Sequence, residues 1–248
     1  EGGHAAHFAN VTQNSPCFSQ EFAPTSMAYA ETQSMFCDSL LDDADWQKRY
    51  ARNAKGETIP DALIRARIES TQPFAAWAER GILVVPYFER ALYRFSDAQL
   101  TAEQVLKLAR DCEQRILGVA IGPRPLLAIP HLLNQESAAA YHGYLLANMA
   151  VYQTRAYFEK KYGYLTDNPA IGPALAEHYW AQGNGVSHNA TLLSLTGESF
   201  NAKYLADACN QTVAEAWAEA QAKMAAAASR SYPQPEAPDL DATIRIVH

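Results

Sequence analysis

No stretch of the 248-residue chain alternates apolar and polar side chains for long enough to predict a β-sheet. Alanine, leucine, glutamate and glutamine, which favour helices, are abundant, and glycine and proline separate the helical stretches. Thr101 marks one helix start clearly, because its hydroxyl can cap a helix whose first turn carries Glu103. We therefore predict an all-α, multi-helix fold with little or no sheet, in which residues 244–248 could pair as a short edge strand.

Hydrophobic periodicity and the positions of glycine and proline predict where the helices lie. One predicted helix, for example, places Ile64, Ile68 and Trp77 on one broad apolar face. The predicted helices cover residues 21–41, 44–54, 61–79, 86–95, 101–117, 138–162, 171–182, 190–195 and 202–229. We thus expect a helical region over 1–230, followed by a proline-rich tail over 231–248 that wraps the surface in extended form.

The charge balance argues against several classes of partner. A net charge of −7 and a pI of about 5.5 disfavour binding to nucleic acid or to an anionic membrane. The longest strongly apolar run, residues 81–88, is far too short to span a membrane. The four cysteines are widely spaced, which predicts buried free thiols rather than a disulfide framework. We expect a soluble protein, and its location in the cytoplasm or the periplasm stays open.

The first four residues carry the motif with the most chemistry. Glu1-Gly2-Gly3-His4 would read H-E-G-G-H if one histidine preceded it. On a helix, that string places two imidazoles at i and i+4 on one face, where they can hold one zinc ion beside a carboxylate. Glu1 would then act as base toward the attacking water. The same four letters can arise by coincidence, so the assignment depends on a further ligand along the chain.

Glu31 is the candidate for that further ligand. It lies among apolar neighbours, which include Met27, Ala28 and Met35. A carboxylate in such surroundings usually has a partner, because burying an unpaired charge is costly. The partner can be a metal ion or a basic side chain, and the residue types alone leave both open.

The segment around Glu31 resembles a known zinc-peptidase helix. Residues 30–41 read A-E-T-Q-S-M-F-C-D-S-L-L, which is similar to the pattern A-E-x-x-S-x-x-x-E-x-L-L of the ligand helix in the thimet oligopeptidase and oligopeptidase F family. In this match Glu31 corresponds to the zinc-binding glutamate and Ser34 to a small polar residue. Glu31 follows His4 by 27 positions, slightly more than is usual in the family, and the loop over 11–20 could hold the additional residues.

Two more residues have supporting roles in this resemblance. Asp38 stands where the family has a second acid, two turns beyond Glu31 on the same helix face. It is expected to accept a hydrogen bond from a ligand imidazole and fix its orientation, and an ordinary exposed acid is the alternative. His7 matches a histidine that the family often carries three residues past the second ligand, and a purely structural histidine is its alternative.

A second resemblance lies further downstream. His131 is followed by the aromatic string Tyr141-His142-Gly143-Tyr144, which is similar to the substrate-binding segment of the same family. His131, Tyr141 and Tyr144 would bind the substrate backbone and stabilise the oxyanion, since hydroxyl and imidazole donors suit that charge. Gly143 is expected to leave room for the substrate, and this helix to line the wall opposite Glu31. The alternatives are core packing for the tyrosines and a loop cap for His131.

The likeness covers most of residues 1–222, and it implies hydrolysis of peptide bonds in short peptides by an enzyme with one Zn²⁺ per active site. Glu1 would be the general base, His4 and Glu31 zinc ligands, and a missing histidine directly before Glu1 the third ligand. The missing N-terminal part of the same polypeptide would be a partner. The 248 residues alone are expected to bind zinc weakly and to show negligible activity, because they supply two of three ligands.

Two other functions stay open at this point. The chain could be a non-catalytic helical binding module, or a degenerate relative of the peptidases. It could also belong to a different family of helical zinc peptidases, such as the carboxypeptidases that share H-E-x-x-H. The A-E-x-x-S string over 30–34 argues against that second possibility.

Overall fold

The computed structural model describes residues 1–13, 26–119, 125–134 and 137–232. Within these ranges the chain forms helices and no β-strand, and an isolated bridge between Arg52 and Thr58 is its only β-type pairing. The predicted all-α fold is therefore confirmed. The edge strand predicted over 244–248 and most of the predicted tail lie outside the described residues. None of the described helices is long and apolar enough to cross a membrane.

The described residues contain eleven α-helices, joined by loops and short 3₁₀ turns. The eighth continues without a break as a π-helical turn over Ala176–Trp180. The helices are α1 (Gly2–Ala9), α2 (Met27–Ser39), α3 (Ala44–Tyr50), α4 (Asp61–Thr71), α5 (Ala75–Leu92), α6 (Ala102–Leu117), α7 (His142–Tyr162), α8 (Ile171–Leu175), α9 (His188–Thr196), α10 (Lys203–Cys209) and α11 (Val213–Ala228).

Helix α6 begins and ends where the sequence predicts. The Thr101 hydroxyl accepts a hydrogen bond from the Gln104 N–H at 3.3 Å and so caps the first turn. Gly118 ends the helix with a φ of 74°, a left-handed conformation that glycine adopts at little cost. The prediction of a helix over 101–117 is confirmed, with Thr101 as its capping residue.

Helices α4 and α5 correct two predicted boundaries. The helix predicted over 61–79 ends at Thr71, because Pro73 has no N–H with which to continue the hydrogen-bond ladder. Helix α5 then runs through Pro86, so the prediction of a new helix that begins at this proline is wrong. The apolar side chains around Pro86 are buried in a core shared with α6, and this packing holds the helix together across the missing bond.

The helix predicted over 202–229 is in fact two helices. Helix α10 ends at Cys209, and Thr212 then caps α11. The Thr212 hydroxyl accepts from the Glu215 N–H at 3.2 Å, and the Glu215 carboxylate accepts from the Thr212 N–H at 2.8 Å. This reciprocal arrangement satisfies two donors that a helix start otherwise leaves without partners, so it fixes a new helix start at this position.

Helix α2 packs against both α1 and α7, and the three helices carry most of the predicted site residues. The main hydrophobic core joins α2 and α7 to α8, α9 and the π-helical turn. A second core joins α5 and α6 to the loop that carries His131, and a smaller one joins α3, α4 and α11. Leu126 and Ile129 of the loop belong to the second core and Leu132 packs against it, so the loop contacts the α5–α6 pair.

Candidate functional site

Gly3 lets helix α1 cross α2 at very short distance. A Cβ atom added at Gly3 would lie 2.7 Å from the carbonyl oxygen of Gln33 and 2.7 Å from the Cα of Ser34, too close for any real side chain. Gly2, by contrast, has open space around it. One glycine of the Gly-Gly pair is therefore required by packing, and the crossing brings the first turns of α1 onto the middle of α2.

The crossing places His4 beside Glu31. Their Nε2 and Oε2 atoms are 3.7 Å apart, and the two side chains are 21% and 11% exposed. Two ligands at about 2.0–2.2 Å from a tetrahedral zinc ion lie roughly 3.4 Å from each other. The observed separation is close to this value, so a small side-chain rotation would let both atoms reach one metal position.

Ser34 orients the Glu31 carboxylate. Its hydroxyl lies 3.1 Å from Glu31 Oε2 and 3.0 Å from the Glu31 carbonyl oxygen. Since Oε2 is also the oxygen that faces His4, the serine holds the atom that would contact a metal. The sequence match identified Ser34 as a small polar residue, and its hydrogen bond to Glu31 was not predicted.

Glu1 occupies the N-cap position of α1 and is exposed. Its side chain forms no capping hydrogen bond to the helix. In the parts of the chain that the structure describes, no three His, Cys, Asp or Glu side chains surround one metal position. His4 and Glu31, which the sequence predicts as zinc ligands, are the two such side chains that the structure brings together.

His7 is fully buried and has a structural partner. Its Nε2 lies 2.9 Å from the Tyr29 hydroxyl, which itself donates to the carbonyl oxygen of Tyr179 at 2.8 Å. The hydroxyl proton is thus used, so His7 Nε2–H must be the donor of the first bond. Burial, and to a lesser extent the charge of nearby His4, lower the pKa of His7 to about 4. These contacts correspond to the structural alternative, and His7 joins α1 to α2 as a neutral imidazole.

Asp38 lies near the end of α2 and is exposed. Among the described residues no hydrogen bond joins its carboxylate to a histidine. His4 Nδ1, the atom that a second acid would be expected to hold, is buried without a hydrogen-bond partner in those same ranges. The exposure of Asp38 corresponds to the alternative of an ordinary surface acid.

His131, Tyr141 and Tyr144 come together in one aromatic cluster. His131 Nε2 lies 3.1 Å from the Tyr144 hydroxyl, and the Tyr141 ring meets His131 and Tyr144 edge-on at 5.0 and 5.1 Å between centroids. His131 Nδ1 is buried without a partner among the described residues. Tyr141 also packs against the α5–α6 core, so the cluster combines polar hydroxyl and imidazole groups with rings in hydrophobic contacts.

Gly143 does not line an open space as predicted. A Cβ atom added there would lie 3.1 Å from Met27 Cβ and 3.2 Å from the main-chain nitrogen of Ala28, so this glycine lets α7 approach α2. Helix α7 therefore packs directly on the helix that carries Glu31, and the expectation that it forms the opposite wall of a cleft is wrong. The physical reason is that a glycine suits a helix crossing as well as it suits a substrate.

Two cavities lie apart from these residues. One of about 260 Å³ lies between α3, α7 and α11, and one of about 580 Å³ lies between α3 and α11. None of the predicted site residues lines either of them. The positions of these two cavities therefore do not identify the candidate site.

No protein-family model matches the chain, and no curated protein matches it by sequence. A solved structure described as "BsuCP Crystal Structure" superposes with a TM-score of 0.64 at 19% sequence identity. The superposition covers 88% of this chain and 46% of that chain, so this chain spans about half the length of the similar structure. At this identity the likeness shows that the helical arrangement occurs in a known protein, and it concerns the fold alone.

Proposed function

We propose that the chain is the catalytic portion of a zinc-dependent oligopeptidase, which hydrolyses peptide bonds in short peptides. The observation that carries the proposal is the separation of 3.7 Å between His4 Nε2 and Glu31 Oε2, at a crossing that Gly3 makes possible. The resemblance of residues 1–4, 30–41 and 131–144 to the thimet oligopeptidase family supports it. A histidine directly before Glu1 in a longer polypeptide would be the third ligand.

Each residue has a separate task in this reaction. When bound, zinc would act as a Lewis acid that lowers the pKa of water and polarises the peptide carbonyl. Glu1 takes the proton of the attacking water and delivers it to the leaving amine. Tyr144 would donate its hydroxyl proton toward the carbonyl oxygen while negative charge develops there, and His131 Nε2, 3.1 Å from that hydroxyl, would donate to the tyrosine oxygen and support it. Ser34 holds the Glu31 carboxylate in place throughout.

The metal site can be tested by restoring the third ligand. The full chain is prepared with a short alanine leader that ends either in histidine or in alanine, directly before Glu1. We expect zinc to bind the histidine form at least about tenfold more tightly in calorimetry, because a third ligand joins the pair. Replacing Glu31 with Gln should remove most of that gain. Equal affinity of the two leader forms would contradict the metal assignment.

The variant Glu1→Gln tests the proposed role of Glu1 as general base separately from zinc binding. In the histidine-leader form this variant should still bind zinc, because Glu1 is not a ligand, while turnover of a short internally quenched peptide falls by orders of magnitude. Asp38→Asn, which changes an exposed acid on α2, is the matched control and should leave turnover within about twofold. Full turnover in Glu1→Gln would disprove the assignment of the base. Zinc binding without any turnover in the parent form would favour the binding-module alternative.

A further inference from the structure

Two carboxylates are buried in the α5–α6 layer, outside the residues assigned to the reaction. Glu89 on α5 is 3% exposed and Glu113 on α6 is 4% exposed. No cation among the described residues forms a salt bridge with either of them. Burying a carboxylate is costly unless hydrogen-bond donors replace the lost water, so each of these side chains requires such donors.

The donors that compensate them are main-chain N–H groups on the two sides of His131. Glu113 Oε1 accepts from the Leu126 N–H at 2.9 Å, before His131 in the chain. Glu89 Oε1 accepts from the Ala139 N–H at 2.7 Å, after His131 and two residues before Tyr141. Both bonds reach from a regular helix to a part of the chain whose described residues form only turns and short 3₁₀ helices.

The second of these segments is also strained. Ala139 has a φ of 60°, which is unfavourable for a residue with a Cβ atom. The turn over Ser137–Ala140 must therefore be held by its surroundings, and the charge-assisted bond to Glu89 is a strong contact of the kind required. The turn leads directly into Tyr141 and the first turn of α7. Its conformation therefore determines the positions of Tyr141 and Tyr144.

We propose that Glu89 and Glu113 are positioning residues that set the location of the His131–Tyr141–Tyr144 cluster through these two main-chain bonds. In this proposal the α1–α2 crossing positions His4 and Glu31, and the α5–α6 layer positions the cluster that donates hydrogen bonds to the substrate. The catalytic meaning of this arrangement rests on the proposed function, since the donors matter for turnover only if a peptide is bound there. The placement itself can be measured without any turnover.

The first experiment uses the full chain without a leader, and compares Glu89→Ala and Glu113→Ala with Glu89→Gln and Glu113→Gln. The glutamine oxygen can still accept the main-chain bond, whereas alanine cannot. We expect the alanine variants to lose hydrogen-exchange protection at the Ala139 and Leu126 amides, respectively, by about tenfold or more. The NMR signals of the His131 ring should shift in both alanine variants, and the glutamine variants should resemble the parent.

The second experiment uses the histidine-leader form and a short internally quenched peptide. Each alanine variant should lower kcat by roughly tenfold to a hundredfold, because a small misplacement of catalytic groups has effects of that size. Zinc affinity should stay within about twofold of the parent, because His4 and Glu31 lie on other helices, α1 and α2. Ile64→Ala, in the separate core of α3, α4 and α11, controls for a general loss of stability and should leave kcat nearly unchanged.

Unchanged amide protection and unchanged His131 signals in the alanine variants would overturn the proposal. Glutamine variants that lose as much amide protection as the alanine variants would also overturn it. A kcat loss of the same size in Ile64→Ala would show that stability alone is measured, and would overturn it too. If the parent itself shows no turnover, the proposed function fails, while the amide and His131 measurements still decide whether Glu89 and Glu113 position the cluster.

Discussion

At the scale of single residues, Tyr144 separates the peptidase hypothesis from the packing alternative most sharply. Its ring lies edge-on to Tyr141, and its hydroxyl reaches His131 Nε2 at 3.1 Å. Packing requires the ring, whereas catalysis requires the hydroxyl. The two functions of one side chain can therefore be tested separately by removing a single oxygen atom.

Tyr144→Phe should lower kcat of the histidine-leader form by about 10²–10³, because one donor to the developing oxyanion is lost. The melting temperature should fall only slightly, since the ring and its contacts remain. Tyr93→Phe, which removes a hydroxyl from an exposed tyrosine, is the control and should change neither quantity. Measurements of kcat and of thermal unfolding on both variants decide the matter, and an unaffected kcat in Tyr144→Phe supports core packing alone.

The sequence indicates candidate site residues, but it does not indicate the contacts that those residues make. The types and order of His4, Glu31, His131 and the tyrosines are visible in the sequence, because chemistry selects residue types. The bond from Ser34 to Glu31 and the bond from His7 to Tyr29 depend on side-chain rotamers, which a sequence pattern does not contain. No motif in the chain pointed to these two contacts.

At the scale of helices, the crossing of α1 over α2 determines how near His4 comes to Glu31. The contact of Gly3 with the main chain of α2 leaves no space for even one methyl group. A flexible side chain could move aside, but here the neighbouring atoms belong to the backbone. Any larger residue must therefore push the two helices apart.

Gly3→Ala should consequently lower the free energy of unfolding by about 1–3 kcal/mol, the usual cost of overpacking. It should also weaken zinc binding in the histidine-leader form, because His4 moves away from Glu31. Gly2→Ala is a matched control in the same helix, with nothing near its added Cβ, and should be neutral or stabilising by up to about 1 kcal/mol. Urea denaturation and zinc calorimetry on both variants would reveal the difference, and equal behaviour would refute the role given to the crossing.

The helices themselves were largely predictable, and their junctions less so. Thr101 and Gly118 delimit α6 by local chemistry, which the sequence shows directly. Pro86, in contrast, lies inside α5, because tertiary packing compensates for its missing N–H and the sequence does not show that packing. Gly143 was assigned to substrate access because its real neighbour, α2, is distant in the sequence. Contacts between distant segments were the common source of these errors.

At the scale of the whole molecule, one buried histidine, His7, and one half-buried histidine, His188, make the fold sensitive to acid. His188 Nε2 lies 3.0 Å from the Thr32 hydroxyl and links α9 to α2, as His7 links α1 to α2. Burial lowers the pKa of each histidine to about 4 from an ordinary value of 6.5. Both are therefore neutral in the folded chain at pH values where an unfolded chain would bind protons.

The consequence for stability has a definite sign. Between pH 6.5 and about 4 the unfolded state binds more protons at these sites than the folded state, so the free energy of unfolding falls as the pH falls. The slope approaches about 1.4 kcal/mol per pH unit for each histidine. His7→Gln keeps an N–H donor for Tyr29 and should reduce the slope. Urea denaturation from pH 7 to pH 5 measures this, and a flat profile would contradict it.

The two glycine crossings on α2 also differ in when they can form. Gly3 reaches α2 after a single intervening segment, whereas Gly143 reaches it only after the chain has passed through four other helices. Contacts between distant segments require more loop-closure entropy and form more slowly. We therefore expect the pair of His4 and Glu31 to assemble early during folding, and the tyrosine helix to dock later. If the proposed zinc ion binds at this early stage, it would favour the species in which α1 and α2 are already joined, and would stabilise that species during folding.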